Sequence, residues 1–584
     1  MEMEKIRHSL SHILASSVSE MYPGTKLGIG PAIENGFYYD FDFIEADKRE
    51  STLITPEDLP KIEEKMKEII RKDIEFRKRN IEFGEAKKIF KDQPYKLELV
   101  NELKGQNEKL TVYESGDFVD LCAGPHVKST KDIPADAFKL TKIAGAYWKG
   151  SEKNAMLTRI YGLAFETKAQ LEEYIKLQQE AEKRDHRILG ERLGFFMFDE
   201  KIGKGLPLYL PNGHFVLKQL EDYMYKLERE NGYLHVMTPI LAKEELYKTS
   251  GHLAHYKDDM YAPIIIEDEK YYLRPMNCPH HHSIYKKERR SYKNLPLRIA
   301  EFGTVFRYEK SGVLSGLIRV RGFTQNDSHI YGTDETLETE ITSILRLFKK
   351  VYDDFDIHDY WFRLSLPDFK NKEKYGDVEN KEMWEKGQTQ LKKALRNLKL
   401  DFKEAIGEAS FYGPKIDIQI KDIYGKEDTI ATVQVDYYSA KRFDLFYINK
   451  NGKKQLPVII HRAILGSFDR FFAFLIEKTA GNLPLWISPV QIKIIPVSDK
   501  HLPYAEKVKS ILSDFRVEID RENETMGKRI RNGELQKIPY LLVVGDKEAS
   551  AETVAVRERG TKNISTMKLN EFIEKIKTEI ENKN

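Results

Sequence analysis

The chain has 584 residues and a formal net charge of +2, and it contains two cysteines. This length exceeds what one hydrophobic core supports, so we expect about three or four domains, and the near-neutral charge excludes a general attraction to nucleic acid. Two distant cysteines exclude a disulfide framework. The chain has no signal-peptide pattern and no apolar run near the roughly 20 residues of a membrane span, which predicts a cytoplasmic enzyme without membrane contact.

The first 165 residues combine the patterns of helices and short strands. An N-terminal helix precedes the strand-like GFYYDFDF and a charged helix within 57–76, which predicts an α+β domain over 1–165. Residues 166–186 hold helix formers and charges of both signs without Gly or Pro, so we expect a solvent-exposed connector helix there.

The rest of the chain divides into two regions of different pattern. Residues 187–484 contain alternating segments such as KIDIQI and TIATVQVDY, which predict a large antiparallel sheet. In 485–584, strand-like and helix-like segments alternate, which predicts an α/β domain with a mostly parallel sheet and a final Lys/Glu-rich helix. The fold class is therefore multidomain, α+β and α/β.

Four potential metal ligands occur in the first domain. His8 and His12 share one face of the N-terminal helix, and Cys122 and His126 flank a Gly-Pro turn. Together they suit a tetrahedral zinc site. They suit equally a polar cleft that holds a water and a hydroxyl-bearing substrate, and spacing alone does not separate these interpretations.

The second cysteine, Cys278, lies just before His280–His282. Consecutive side chains diverge, but His282 has a spacing that a local zinc knuckle allows. Two distant histidines in polar, Gly-containing segments, His329 and His461, are the alternative partners. The pattern leaves both sets open.

A predicted hairpin within 296–330 carries Arg307, Glu309, Arg319 and Arg321. Guanidinium groups offer planar, bidentate donors that suit the oxygens of a triphosphate. Ordinary surface salt bridges with nearby acids are the alternative.

Three segments resemble the motifs of class II aminoacyl-tRNA synthetases. FRYE, which contains Arg307, resembles motif 2, and GSFDRF, with Arg470, resembles motif 3. GYLHVMTPIL, with Pro239, is similar to motif 1, a dimer-interface element in that class. RPMNCPHH, RVRGFTQNDSHI, FYGPKID and HRAILGS resemble threonyl-tRNA synthetases more closely, and the likeness extends from about residue 6 to about residue 570.

This resemblance implies a ligase that activates threonine with ATP and transfers it to tRNA(Thr) as a homodimer. Cys278, His329 and His461 correspond to the family's zinc ligands, and His280–His282 would be bystanders. Three protein ligands leave zinc open to the amino and hydroxyl groups of threonine. A site built for that hydroxyl rejects valine by roughly 10⁴ to 10⁵.

The resemblance also implies roles at ATP. Arg307 would contact the α-phosphate, Arg319 the γ-phosphate and Arg470 the ATP tail, while Phe323 would stack on adenine and Glu309 would lie near Mg²⁺. The other expected substrate contacts are Met276, Gln325, Asp327, Tyr412, Lys415 and Gln434.

Serine carries the same hydroxyl as threonine and lacks one methyl, which is worth only about 10- to 200-fold in discrimination. A second, hydrolytic site is therefore expected, and the family places hydrolysis of seryl-tRNA(Thr) in the N-terminal domain. Its expected residues are His8, His12, Cys122 and His126, with Lys96 and Asp120 as helpers. The resemblance favours a metal-free site, with zinc as the alternative.

The last domain resembles the anticodon-binding module of class II synthetases. Arg529, Arg531, Glu548 and Arg557 are the expected RNA contacts, although a charged surface that is merely solvated would look the same.

The chain departs from the family at three places. It starts at the editing helix without the small ubiquitin-like domain of many relatives, Asp428-Thr429 replaces a Trp-Gln pair, and Asp469 replaces a glutamate. Two other functions stay open from sequence alone: a non-catalytic RNA-binding regulator, and a synthetase for another amino acid.

Overall fold

The computed structural model describes residues 2–43, 54–106, 108–375 and 381–583. The chain forms two compact units, Met1–Gln179 and Glu180–Asn584. Within the described ranges, no helix combines the length and apolar character that crossing a membrane requires.

The first unit is α+β, as predicted. The helix Glu2–Met21 packs on the strand Gly36–Asp42 and on the helix Leu59–Arg71, whose apolar residues recur at helical spacing toward the core. One antiparallel sheet has the order Lys26–Leu27, Gly36–Asp42, Met156–Ala164 and Phe138–Tyr147, with Ala32–Ile33 beside Gly36–Asp42. A second consists of Phe76–Ile81, Leu110–Ser115 and Phe118–Leu121. The further helices are Phe83–Ile89, Pro94–Gly105 and Lys168–Arg184, the last of which lies in the predicted connector.

An eight-stranded sheet dominates the second unit, and all its neighbouring strands are antiparallel except the pairs at its two edges. Its order is Leu234–His235, Leu297–Phe306, Gly322–Gly332, Val458–Ser467, Glu427–Asp436, Lys415–Lys421, Tyr360–Leu366 and Phe402–Ile406. The predicted antiparallel sheet is thus confirmed.

Helices cover this sheet and bury the largest apolar core. Those that contribute to this core are His186–Arg192, Pro211–Glu230, Leu337–Asp354, Lys381–Asn397 and Phe468–Thr479. The other helices of this region are Glu244–Ser250, His252–His255, Cys278–Lys286, Lys372–Tyr375 and Ser439–Arg442. Short strands form three small sheets: Phe196–Met197 with Leu208–Tyr209; Leu241–Lys243, Glu269–Leu273 and Ile264–Ile266; and Arg290–Ser291, Tyr447–Ile448 and Lys454–Gln455.

The last sheet is mixed, whereas the sequence predicted a mostly parallel one. Its order is Val517–Ile519, Ile492–Pro496, Tyr540–Val544, Thr553–Glu558 and Ile564–Lys568. The first three strands are parallel, and the last two pair antiparallel because the segments that join them are too short for a crossover, which needs about a dozen residues. The helices here are Leu502–Ile511, Met526–Leu535, Asp546–Ala551 and Leu569–Glu581.

Candidate active site and metal centre

Cys278, His329 and His461 converge in the interior of the second unit. One ligand atom from each lies within 4.8 Å of the others, and all three side chains are buried. The two histidines face each other across neighbouring antiparallel strands, and Cys278 is the first residue of the helix Cys278–Lys286. One thiolate and two imidazoles are typical zinc ligands, and three protein ligands leave a position for substrate.

Each of these histidines has a partner that fixes its orientation. Asp436 accepts a hydrogen bond from Nε2 of His461 at 2.8 Å, and Nδ1 of His329 lies 2.7 Å from Nδ1 of His281. Glu301 in turn accepts from Nε2 of His281 at 3.0 Å. In the tautomers that this network favours, Nδ1 of His461 and Nε2 of His329 stay free for a metal.

Burial sets the protonation of the cluster. It raises the pKa of the Cys278 thiol well above its usual range and holds the pKa of His329 well below its own. His329 is therefore an unprotonated ligand at neutral pH, while the thiol would lose its proton on binding a cation. His282, the local alternative, instead shares a hydrogen bond between Nδ1 and the Tyr331 hydroxyl at 2.9 Å.

A cavity of about 240 Å³ opens beside this cluster along the same sheet. It is lined by the five residues expected at ATP and Mg²⁺, namely Arg307, Glu309, Arg319, Phe323 and Arg470, and by Gln325, an expected substrate contact. The guanidinium of Arg307 lies 5.1 Å from the centre of the Phe323 ring, within cation–π range. Arg321 lies on the same hairpin, but its guanidinium donates to the Glu309 carbonyl at 2.9 Å and packs on Tyr308.

Arg470 is held in place by main-chain groups. Its backbone amide donates to the Ser467 hydroxyl at the start of the helix, and its guanidinium donates to the carbonyls of Ile318 and Thr429 at 3.1 and 3.0 Å. The Asp428 carboxylate lies 3.7 Å away. The departure at Asp428-Thr429 therefore adds a negative charge beside this arginine.

The other expected substrate contacts lie around Cys278, His329 and His461. Tyr412 stacks on His461 with ring centres 5.0 Å apart and donates to Gln434, which pairs across the sheet with both His461 and Lys415. Lys415 forms an ion pair with the buried Asp417 at 2.9 Å.

Asp327 and Met276 complete this set. Asp327 accepts from the side-chain amide of Asn277 at 3.1 Å, and burial raises its pKa. The sulfur of Met276 lies 3.1 Å from Nε2 of the buried His252, whose pKa burial lowers to about 4.

Sequence reasoning missed Asn277, His252 and the role of His281. The available signal for Asn277 was its place directly before Cys278, because it occupies the N-cap position of that helix. His252 carries no local signal, since Met276 is distant in sequence.

In the first unit, His8, His12, Cys122 and His126 also converge, with ligand atoms within 4.8 Å of one another. The Cys122 sulfur lies 3.3 Å from Nε2 of both His8 and His126. Ser9, which the sequence did not single out, is 3.1 Å from Nδ1 of His126.

Burial makes these groups neutral. It lowers the pKa of His8, His12 and His126, and it raises the pKa of the Cys122 thiol to about 11.

Lys96 and Asp120 form a buried ion pair next to this group. Their charged atoms are 2.5 Å apart, and the Tyr39 hydroxyl donates to the same carboxylate at 2.6 Å. Nε2 of His12 lies 3.8 Å from that carboxylate, so the ion pair and Tyr39 lie beside the four-residue cluster.

The expected RNA contacts of the last domain differ in exposure. Arg531 is exposed and Arg557 is half-buried in an ion pair with Glu534. Glu548 accepts from the Gly545 amide at 2.9 Å. Arg529 is buried and donates to the Asp520 carboxylate and to the carbonyls of Pro496 and Asp520, so it ties its helix to the sheet.

Three family models match the chain. Residues 261–479 match the tRNA synthetase class II core domain (G, H, P, S and T), and 491–579 match the anticodon binding domain. Residues 110–161 match the threonyl and alanyl tRNA synthetase second additional domain.

Curated relatives match along the whole chain. The threonine–tRNA ligase of Geobacillus sp. (strain WCH70) is 48% identical over 99% of this chain and 89% of its own length. Threonine–tRNA ligase 1 of Bacillus subtilis (strain 168) is 48% identical over 98% of this chain and 88% of its own length.

Solved structures agree in fold. The RNA binding domain of threonyl-tRNA synthetase from Cryptosporidium parvum Iowa II superposes with a TM-score of 0.63 at 36% identity, over 68% of this chain and 98% of that one. A putative threonyl-tRNA synthetase from Aeropyrum pernix gives 0.60 at 27% identity, over 69% of this chain and 96% of its own.

Proposed function

The chain belongs to the threonyl-tRNA synthetase family, and on that premise we propose that a zinc site in its class II core selects threonine by its hydroxyl group. The enzyme activates threonine with ATP and transfers it to tRNA(Thr). Its class II core uses ATP with Mg²⁺.

The residues of the cavity suit adenylate formation. The reaction joins the threonine carboxylate to the α-phosphate and needs no side-chain nucleophile, so the protein's task is to position the reactants and to balance charge. Arg307 would contact the α-phosphate, and Arg319 and Arg470 the rest of the triphosphate. Phe323 would supply a flat face for adenine, and Glu309 would help to hold Mg²⁺.

Cys278, His329 and His461 would hold the zinc ion. When bound, zinc supplies a Lewis acid that takes the amino and hydroxyl groups of threonine and rejects valine. Asp327, buried and oriented by Asn277, would accept a hydrogen bond from the substrate amino group. Tyr412 and Gln434 close the other side of the site.

The observation that carries this proposal is the convergence of these three side chains beside the ATP cavity. ATP–pyrophosphate exchange with threonine, serine and valine tests it. We expect exchange with threonine, weaker exchange with serine and almost none with valine. Exchange with valine as fast as with threonine would contradict selection by the hydroxyl group.

The cluster around Cys122 supports hydrolytic editing in the first unit. A neutral imidazole such as His8 can take a proton from a water that attacks the seryl ester, and such groups contribute roughly 10²- to 10⁴-fold. Lys96 and Asp120 form a buried ion pair beside these imidazoles. We propose a metal-free site, as the resemblance of this domain to the family's editing domain implies.

An exposed apolar surface supports a homodimer. Met237 is 95% exposed, and Leu234, Ile240 and Tyr225 near it are also exposed large apolar side chains. They lie in or beside the motif 1 segment. Such a patch on a polar surface marks a protein interface. Light scattering of the purified chain checks the mass, and a monomer would contradict this proposal.

In the last domain, Arg531, Glu548 and Arg557 remain the proposed anticodon contacts. The buried ion pair of Arg529 with Asp520 supports a structural role for that residue instead.

A further inference from the structure

The ring of His186 is buried between two elements of the ATP cavity. It begins the helix His186–Arg192 and is 1% exposed. The backbone amide of Leu317 donates to its Nε2 at 3.1 Å, and its Nδ1 lies 2.6 Å from the Glu477 carboxylate. Because Nε2 accepts a hydrogen bond from an amide, the ring carries its hydrogen on Nδ1 and donates a hydrogen bond to Glu477.

Both partners of this imidazole belong to segments that carry arginines of the cavity. Leu317 precedes Arg319 by two residues, and Glu477 is on the helix Phe468–Thr479, which also carries Arg470. One ring therefore links the two arginine-bearing segments.

The loop and the ring fit closely. Gly316 has a positive φ of 46°, and a Cβ at this position would lie 2.1 Å from Nε2 of His186. One residue beyond Leu317, the Ile318 carbonyl accepts a hydrogen bond from Arg470 at 3.1 Å. The loop thus meets His186 through the Leu317 amide and Arg470 through the Ile318 carbonyl.

We infer that His186 is a positioning residue for ATP, which holds the 316–319 loop so that Arg319 and Arg470 face the triphosphate. This inference rests on the proposed placement of ATP in the cavity. A merely structural imidazole would affect the stability of the unit and the use of both substrates alike. A positioning imidazole affects ATP selectively, because threonine binds around the Cys278 cluster.

Variants with amide side chains test the two hydrogen bonds of the His186 ring separately. His186→Asn places an amide near Nδ1, so it keeps a donor for Glu477 and loses the acceptor for Leu317. His186→Gln reaches the position of Nε2 and restores that acceptor. Ile188→Ala, an exposed change on the same helix, is the matched control.

In ATP–pyrophosphate exchange, we expect His186→Asn to raise the KM for ATP roughly tenfold, because the buried Leu317 amide would lose its hydrogen-bond acceptor. Its KM for threonine and its melting temperature should stay near those of the parent enzyme, and His186→Gln should recover most of the ATP affinity. Gly316→Ala, which pushes a methyl group against the ring, should also raise the KM for ATP.

Unchanged KM for ATP in both His186→Asn and Gly316→Ala would overturn the inference, as would equal rises in both KM values. Should His186→Asn not fold, the Gly316→Ala variant decides alone. Arg319→Ala and Arg470→Ala are measured in parallel. If they too leave ATP use intact, the proposed ATP site is wrong, whereas impairment in them alone would reject only the role of His186.

Discussion

The His281 ring lies between a carboxylate and a metal-ligand candidate. Glu301 accepts from one ring nitrogen, and the other lies 2.7 Å from His329. The family resemblance predicted that His281 is not a metal ligand. It is not one of the three side chains that converge as candidate ligands. Its contact with Nδ1 of His329 leaves Nε2 of that residue as the nitrogen that would face a bound metal.

We expect His281→Phe to weaken zinc binding roughly 10- to 100-fold, the usual cost of losing a partner of a metal-bound histidine. Chelator competition measures the affinity directly, without reference to catalysis. His280→Ala is the matched control, since the ring nitrogens of His280 make no hydrogen bond to any described residue. Parent-like zinc affinity in His281→Phe would show that His329 needs no such support.

At the scale of single residues, the sequence predicted which residues carry the chemistry better than it predicted what those residues contact. Cys278, His329 and His461 were named through a family resemblance, while local spacing left His282 open. The partners Asp436, His281 and Glu301 come from other strands and helices, and no local pattern links them. Arg529 was expected at RNA because it is basic, but its burial depends on Asp520, a pairing that the sequence alone does not reveal.

The strand Gly322–Gly332 connects the two halves of the active site. Phe323 and Gln325 line the cavity that we propose for ATP, and Asp327 and His329 follow at alternate positions toward the candidate metal ligands. The sequence predicted this segment as part of a hairpin. The neighbouring strand Val458–Ser467 was not predicted to lie beside it, because strand order in a sheet depends on contacts between distant segments.

Asp469, at the start of the helix Phe468–Thr479, ties that helix to the same strand. Its carboxylate accepts from the Thr324 amide at 2.9 Å and from the Tyr209 hydroxyl, and burial raises its pKa to about 6. The unfolded value is about 3.9, so the folded state binds this proton more tightly. Its favourable contribution is complete below about pH 4 and is lost as the pH rises through about 6.

We therefore expect Asp469→Asn to gain stability relative to the parent enzyme as the pH rises from 4.5 to 8, by on the order of 2 kcal/mol. An amide does not ionise, so it avoids the cost of a buried charge at high pH. Calorimetric melting of both proteins across this range measures the difference. A difference that does not change with pH would contradict the assignment.

On the scale of the whole molecule, the two chemical sites lie in different compact units. Composition indicated several domains and the patterns indicated their classes. The connections on both sides of Thr553–Glu558 are too short for parallel crossovers, so the sheet is mixed where a mostly parallel one was expected.

Because the two candidate sites consist of different residues, a mutation in one should leave the reaction at the other unchanged. We expect His8→Ala to leave threonylation of tRNA(Thr) near normal and to slow hydrolysis of seryl-tRNA(Thr) by roughly 10²-fold or more, because a proton acceptor is lost. Deacylation of serine-charged tRNA(Thr) gives the rate, with Glu2→Gln on the same helix as control. Serine clearance at the parent rate would remove His8 from the editing mechanism.

The central claim is that Cys278 helps to hold a zinc ion that recognises threonine. Metal analysis of Cys278→Ala, with Cys122→Ala alongside and threonine-dependent exchange measured on both, tests it most directly. We expect one zinc per chain in the parent enzyme and in Cys122→Ala, and neither zinc nor exchange in Cys278→Ala. A Cys278→Ala enzyme that keeps one zinc and full exchange would contradict the claim.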